Sequence, residues 1–185
     1  MLSPSQKLYI RQRALKQAQG YIGQTEDAQH TNRGAFVVQC LADVGIQEPA
    51  PWCAAFVIRC YIEACKSYGF PLSVTNLAAS GSCEALISHA RTQGAAIDAH
   101  LIGKTAHVVP GDLMVQWHAE LGRYAHTGIV LIAPLTNSGS FTTIEGNSAP
   151  AGSNVREGYI VCLQHRNSGD LADDGHARYG FITSV

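Results

Sequence analysis

The sequence lacks an excess of either charge. Lys and Arg number 13 against 14 Asp and Glu, a formal net charge of −1 over 185 residues. The strongly basic footprint expected of a nucleic-acid or anionic-surface binder is therefore missing. No apolar run reaches the roughly 18–20 residues that a membrane helix needs. The opening Met1-Leu2-Ser3-Pro4-Ser5-Gln6-Lys7 leads into a mixed polar helix, not the apolar segment of a signal peptide. The expectation is a chain made in the cytoplasm without a membrane span. No C-x-x-C occurs, and Cys60 with Cys65 has the wrong spacing for a zinc knuckle. Repeats, low-complexity stretches and a dividing linker are missing too. With 46% apolar and 15% charged residues the composition is globular. At this length residues 1–185 are expected to form one domain that buries a core without disulfides or a structural metal.

There are six cysteines. A chain that folds first in a reducing compartment keeps them as thiols. Cys40, Cys60, Cys65, Cys83 and Cys162 sit among apolar neighbours and are expected, for the most part, to be small buried hydrophobes. Cys53 stands in a different setting.

The first half of the chain patterns as helices. Ser3-Pro4 supplies an N-cap and a proline at the first helical position. Leu8, Leu15 and Ile22, with Ala14 and Ala18, are expected to form the apolar stripe of the helix that follows. Phe36, Val37, Cys40, Leu41 and Val44 mark a second helix, stopped at Gly45. Pro49-Ala50-Pro51 precedes a third, from about Trp52 to Lys66, and Ser82 caps a fourth in which Cys83, Leu86, Ile87 and Ala90 share a face. From Pro110 the period shifts to that of strands: Asp112–Trp117, Thr127–Leu135, Phe141–Glu145, Val155–Gln164 and Tyr179–Val185. Strand follows strand without intervening helices, so the fold class is α+β, with helices packed on one side of a curled antiparallel sheet of about five or six strands.

Three places could carry chemistry. In Pro51-Trp52-Cys53-Ala54-Ala55-Phe56-Val57 the proline fixes a helix start and puts Cys53 in the first turn. Unpaired N–H groups and the helix dipole there favour a thiolate, the nucleophilic form. The segment alone serves equally well for a buried thiol at a helix end. Eight histidines could supply a base. His126 opens the buried-looking strand Thr127-Gly128-Ile129-Val130-Leu131, where a ring can face a cleft from a rigid backbone. A lone histidine so placed is more often structural. In Thr143-Ile144-Glu145-Gly146-Asn147-Ser148, strand alternation projects Glu145 and Asn147 to one face, where either could orient an imidazole. Alone, that run is an ordinary strand end. The combination, in the order Cys, His, Glu/Asn, raises the functional reading.

Trp52-Cys53-Ala54-Ala55-Phe56-Val57, Pro110-Gly111-Asp112-Leu113, His126-Thr127-Gly128-Ile129-Val130 and Glu145-Gly146-Asn147 together resemble the CHAP domain of the NlpC/P60-like, papain-related cysteine hydrolases. The resemblance covers about residues 20–163, and Gly23-Gln24-Thr25-Glu26 with Asn32-Arg33-Gly34 is similar to the lead-in of a CHAP subgroup. It implies a papain-like fold, with Cys53 as nucleophile, His126 as base then acid, Glu145 as the orienting residue and Asn147 as an auxiliary polar group. Trp52 and Trp117 are expected to contact substrate. It implies cleavage of amide bonds in bacterial peptidoglycan, within the stem peptide or cross-bridge or between N-acetylmuramic acid and L-Ala. A non-catalytic module binding cell-wall fragments and a thiol amidase acting on a small γ-glutamyl amide are the alternatives.

Some CHAP domains bind calcium ahead of the cysteine, but Ala42-Asp43-Val44-Gly45-Ile46-Gln47-Glu48 has no D-x-D pattern, so no metal or other cofactor is expected. The acidic tail Gly169–His176 fits a solvated loop. Gly94–Val109 and Leu135–Gly139 are candidate cleft walls. A monomeric antibacterial effector or phage-type lysin is expected, reaching the wall or periplasm by non-Sec export, injection or lysis. In the effector case a cognate immunity protein would plug the Cys53 cleft.

Overall fold

In the computed structural model, residues 2–150 and 158–185 are described. The first helix, α1 (Pro4–Gly20), starts at a capping box in which Ser3 and Gln6 exchange backbone and side-chain hydrogen bonds. The expected stripe holds at Ala14, Leu15 and Ala18, which are buried or packed on the core, and fails at its two ends. Leu8 and Ile22 are exposed, whereas Ile10, Ala14 and Ala18 are fully buried. The small side chains of Ala14 and Ala18 let α1 lie close along α3 (Cys53–Lys66). Between these two comes α2 (Ala35–Ala42), which buries Phe36, Val37, Cys40 and Leu41. The N-cap of α4 (Cys83–Thr92) is Ser82, whose hydroxyl accepts from the Ala85 N–H, and the helix buries Cys83, Leu86, Ile87 and Ala90. Of the five cysteines expected in the interior, Cys162 is only half-buried.

Six strands follow: β1 (Ala96–Asp98), β2 (Leu113–His118), β3 (Arg123–Ile132), β4 (Ser140–Ser148), β5 (Ile160–Asn167) and β6 (Tyr179–Ile182). They form one open antiparallel sheet in the order β1-β6-β2-β3-β4-β5. The fold is thus α+β. Expected strand residues 155–157 lie outside the described residues. The short β1 was not expected; it pairs only with β6, some 84 positions later in the chain. Alternation divides the sheet residues: Leu113, Val115, Ile129, Ile144 and Ile182 join the helices in the main core. Met114, Val130, Phe141 and Phe181 form a second cluster, with Ala99, Ile102 and Val108, on the opposite face.

Asp112 joins distant parts of the chain. It is almost wholly buried, and its Oδ1 accepts from Arg11 Nε of α1 at 3.2 Å and from the Ser184 N–H at 3.1 Å. Oδ2 accepts from the Val109 N–H at 3.0 Å. Gly111 beside it has φ +93°, and a Cβ there would stand 2.8 Å from Arg11 Cβ. The Tyr61 hydroxyl donates to the Gly111 carbonyl. The Pro110-Gly111-Asp112-Leu113 block is therefore a structural tie between α1, α3 and the end of the chain.

Candidate active site

Pro51 and the N-cap Trp52 start α3 so that Cys53 is its first residue. The first-turn N–H groups of a helix have no acceptor within it, and the Ala54 N–H is directed at the Cys53 sulfur. Trp52 itself is fully buried and does not reach substrate space, contrary to the sequence expectation. An indole next to a helix start is better accommodated in the core, where its Nε1 donates to Glu26 Oε1 at 2.7 Å. The other Glu26 oxygen accepts from the Asn32 N–H at 2.8 Å, so the lead-in segment holds the base of α3.

His126 lies within β3, beyond the bulge that the register shift between Gln116 and Trp117 introduces opposite Ala125. Its Nε2 meets Glu145 Oε2 at 2.7 Å, which leaves Nδ1 as the ring nitrogen for Cys53, beside which the imidazole stands. Glu145, on β4, is wholly buried. Its Oε1 accepts from Thr143 Oγ1 at 2.5 Å and from Arg166 Nε at 2.8 Å, and its Oε2 accepts from Arg166 Nη2 at 2.7 Å and Ser148 Oγ at 3.3 Å. Burial opposes its charge, yet His126 and Arg166 hold the carboxyl far below the ordinary glutamate range. For His126 burial also opposes the charged form, but the Glu145 carboxylate and the sulfur of Cys53 outweigh it and push the imidazole up to about 10. Cys53 is held well below an ordinary thiol, first by a hydrogen bond from the Cys83 thiol and then, against burial, by His126 and the Ala54 N–H. Both directions favour a thiolate–imidazolium pair at the groove.

Asn147 departs from the strand alternation expected of it. A register shift between Glu145 and Ser148 and a left-handed backbone at Asn147 (φ 50°) bring the Ser148 hydroxyl, not the Asn147 amide, to Glu145. Oriented to satisfy both neighbours, the Asn147 amide accepts from the Trp52 N–H at 3.2 Å and donates to the Gly158 carbonyl at 2.5 Å. It fixes the start of α3.

A groove of about 720 Å³ runs past Cys53. It is lined by Ile46, Ala50 and Pro51 ahead of α3, by Gly81–Glu84 at the start of α4, by His118, Leu121, Arg123 and Ala125 of the β2–β3 hairpin, and by Asn147 with Asn32 and Gly158. The loops expected to wall it, 94–109 and 135–139, lie elsewhere: Gly103 packs on the Leu135 carbonyl, and residues 99–108 cover the far face of the sheet. Trp117 is also outside the groove. Its indole donates to Asp174 Oδ2 at 2.8 Å, and its ring stacks on His176 at 4.9 Å between centroids.

Three residues of this centre were not singled out from the sequence. Arg166 is carried by β5, and no local motif marks it. Gly128 was quoted only as part of a block; a Cβ there would stand 2.5 Å from Glu145 Cγ, so the strand needs glycine for the carboxylate to pass. Cys83 was assigned to the core with the other thiols, yet its Sγ lies 3.7 Å from that of Cys53.

Among the described residues no group of three or more His, Cys, Asp or Glu side chains is arranged to hold a metal ion, and no helix is long and apolar enough to cross a membrane. The arrangement can deliver a sulfur nucleophile, a proton carrier and a fixed counter-charge to one face of the groove. Compared with protein-family models, curated proteins and solved structures, the chain matches none of them.

Proposed function

We propose that the protein is a cysteine hydrolase of papain-like, CHAP type that cleaves amide bonds, with bacterial peptidoglycan as its substrate. The observation that carries the reading is the line Cys53–His126–Glu145 at the edge of an open groove, with the sulfur at a helix start and the imidazole clamped by a buried carboxylate. The order of helices before an antiparallel sheet supports the papain-like assignment. The choice of peptidoglycan rests on the resemblance of the four sequence blocks.

In the reaction the Cys53 thiolate attacks the amide carbonyl carbon. The oxyanion that forms faces the unpaired N–H groups at the start of α3. His126, protonated, gives its Nδ1 proton to the leaving nitrogen, and the C–N bond breaks to leave a thioester. Neutral His126 then takes a proton from water, the hydroxide attacks the thioester carbon, and the acid departs as the C–S bond breaks to restore the Cys53 thiolate beside protonated His126. Glu145 keeps the ring oriented and stabilises its charge throughout.

The test is mass analysis of purified sacculi digested with the wild type and with Cys53→Ala. Fragments released only by the wild type identify the bond from their masses. No release from walls of several chemistries by folded protein overturns the peptidoglycan assignment. Turnover of a small γ-glutamyl amide by the same preparation would then retain the hydrolase with a different substrate.

A further inference from the structure

The fourth helix brings a second thiol to the groove. Cys83 is the first residue of α4, as Cys53 is of α3, and both side chains line the same open cavity. Their sulfurs stand 3.7 Å apart, in van der Waals contact, and both are free thiols. A disulfide brings sulfurs to about 2.05 Å, and no other atom need be displaced from between two sulfurs already in contact. We propose that Cys53 and Cys83 form a redox-active dithiol, a site of reversible modification whose co-substrate is a low-molecular-weight disulfide.

The two sulfurs have unequal roles. Cys53 is the attacking thiolate, and Cys83 is the proton-bearing partner that resolves the adduct. Their electrostatics agree: the hydrogen bond between them lowers the Cys53 thiol and, with burial, raises that of Cys83. The Cys53 thiolate attacks one sulfur of the incoming disulfide, and the bond in that molecule breaks to release one thiolate. Cys83 then attacks Cys53 Sγ in the mixed disulfide, expelling the second half of the co-substrate as a thiolate, and the Cys83 proton ends on a released sulfur. The protein dithiol is oxidised by two electrons and the small disulfide is reduced to its two thiol halves.

The remaining thiols do not compete. Cys40 and Cys60 are fully buried in the main core, and neither they nor Cys65 and Cys162 line the groove. The closed pair has no nucleophile at position 53, so it is inert towards amides until an external thiol reopens it. That consequence rests on the hydrolase reading; the disulfide itself does not.

The experiment uses the whole protein and oxidised glutathione as the probe, with acid quenching, alkylation in denaturant and mass analysis of peptides. Wild-type protein is expected to become lighter by two hydrogens, to retain four alkylatable thiols of its six, and to yield one peptide pair linked through Cys53 and Cys83 that dithiothreitol separates. Cys83→Ser, shown folded by its thermal transition, is expected to stop at a single glutathione adduct on Cys53. The inference is overturned if wild type keeps all its thiols, if it stops at the glutathione adduct with Cys83 free, or if the linked pair involves another cysteine. None of these readings requires amidase activity.

Discussion

Arg166 grips Glu145 through two parallel hydrogen bonds, Nε to Oε1 at 2.8 Å and Nη2 to Oε2 at 2.7 Å, from the strand next to the one that carries the carboxylate. His126 is therefore only one of the partners of Glu145. The imidazolium of His126 is the larger offset to burying the charge, and the guanidinium adds a second, bidentate one.

Replacing Arg166 by Gln leaves Glu145 buried with a deficit of donors. Arg166→Gln is expected to lose about 3 kcal/mol of stability, measured as a lower urea midpoint at unchanged slope. Arg166→Lys restores the charge but not the fork and is expected to fall between the two. Equal midpoints for Gln and wild type would show that the clamp is not a stabilising pair.

A methyl group at position 128 collides with the same carboxylate. Gly128→Ala puts a Cβ 2.5 Å from Glu145 Cγ and 3.0 Å from the Ile144 carbonyl. A loss of about 1–3 kcal/mol is expected from the overpacking. The displaced carboxylate also weakens its hold on His126, so the alkaline limb of the pH profile should move towards acid. A thermal melt and a pH–rate profile check the two effects separately.

The ion pair predicts how Cys53 alkylation depends on pH. Iodoacetamide should already react with Cys53 well below the ordinary thiol value of 9.0, because the thiolate that it alkylates is present there. In Glu145→Gln, which weakens the imidazolium that holds the thiol low, the onset of alkylation should move up towards 9.0. The sign for stability follows from the raised imidazole. Between 6.5 and its folded value the folded state binds the proton that the unfolded state has released, so stability falls as pH rises through that window. Denaturant titrations in a Cys53→Ala background, where the opposing thiol is absent, should show this downward slope, and Glu145→Gln in that background should flatten it.

The buried tryptophan makes a different prediction. Glu26→Ala leaves the Trp52 indole N–H without its acceptor, at a cost of about 1–3 kcal/mol. Glu26→Gln, which keeps an acceptor oxygen, should cost less. Because Glu26 does not line the groove, the alkylation rate of Cys53 in the folded fraction should stay within about twofold of wild type.

What could be read from the sequence was local. Ser82 and the Cys83, Leu86, Ile87, Ala90 face of α4 are specified within ten residues, and the helix is as expected. The start of α3 at Cys53 follows in the same way from Pro51. Orientation was harder. The face of α1 is chosen by its packing on α3: Ile10, Ala14 and Ala18 turn inward, Leu8 faces solvent, and Ile22 falls beyond the end of the helix. β1 has three residues and exists through its pairing with β6. At the candidate site, Cys53, His126 and Glu145 were nominated from element edges and converge, whereas the bulge that turns Asn147 towards Trp52 follows from pairing with β5. Cys83 lay hidden because nothing in its helix says that the starts of two helices meet.

Asp112 has a consequence for how the molecule opens. One carboxylate collects donors from residues 101 positions earlier and 72 positions later in the chain. The middle of the first helix and the residues that follow the last strand therefore share one anchor. Amide hydrogen exchange in α1 should be protected to the same level as in β2, as one cooperative unit, and Asp112→Ala should separate the two by letting α1 exchange first.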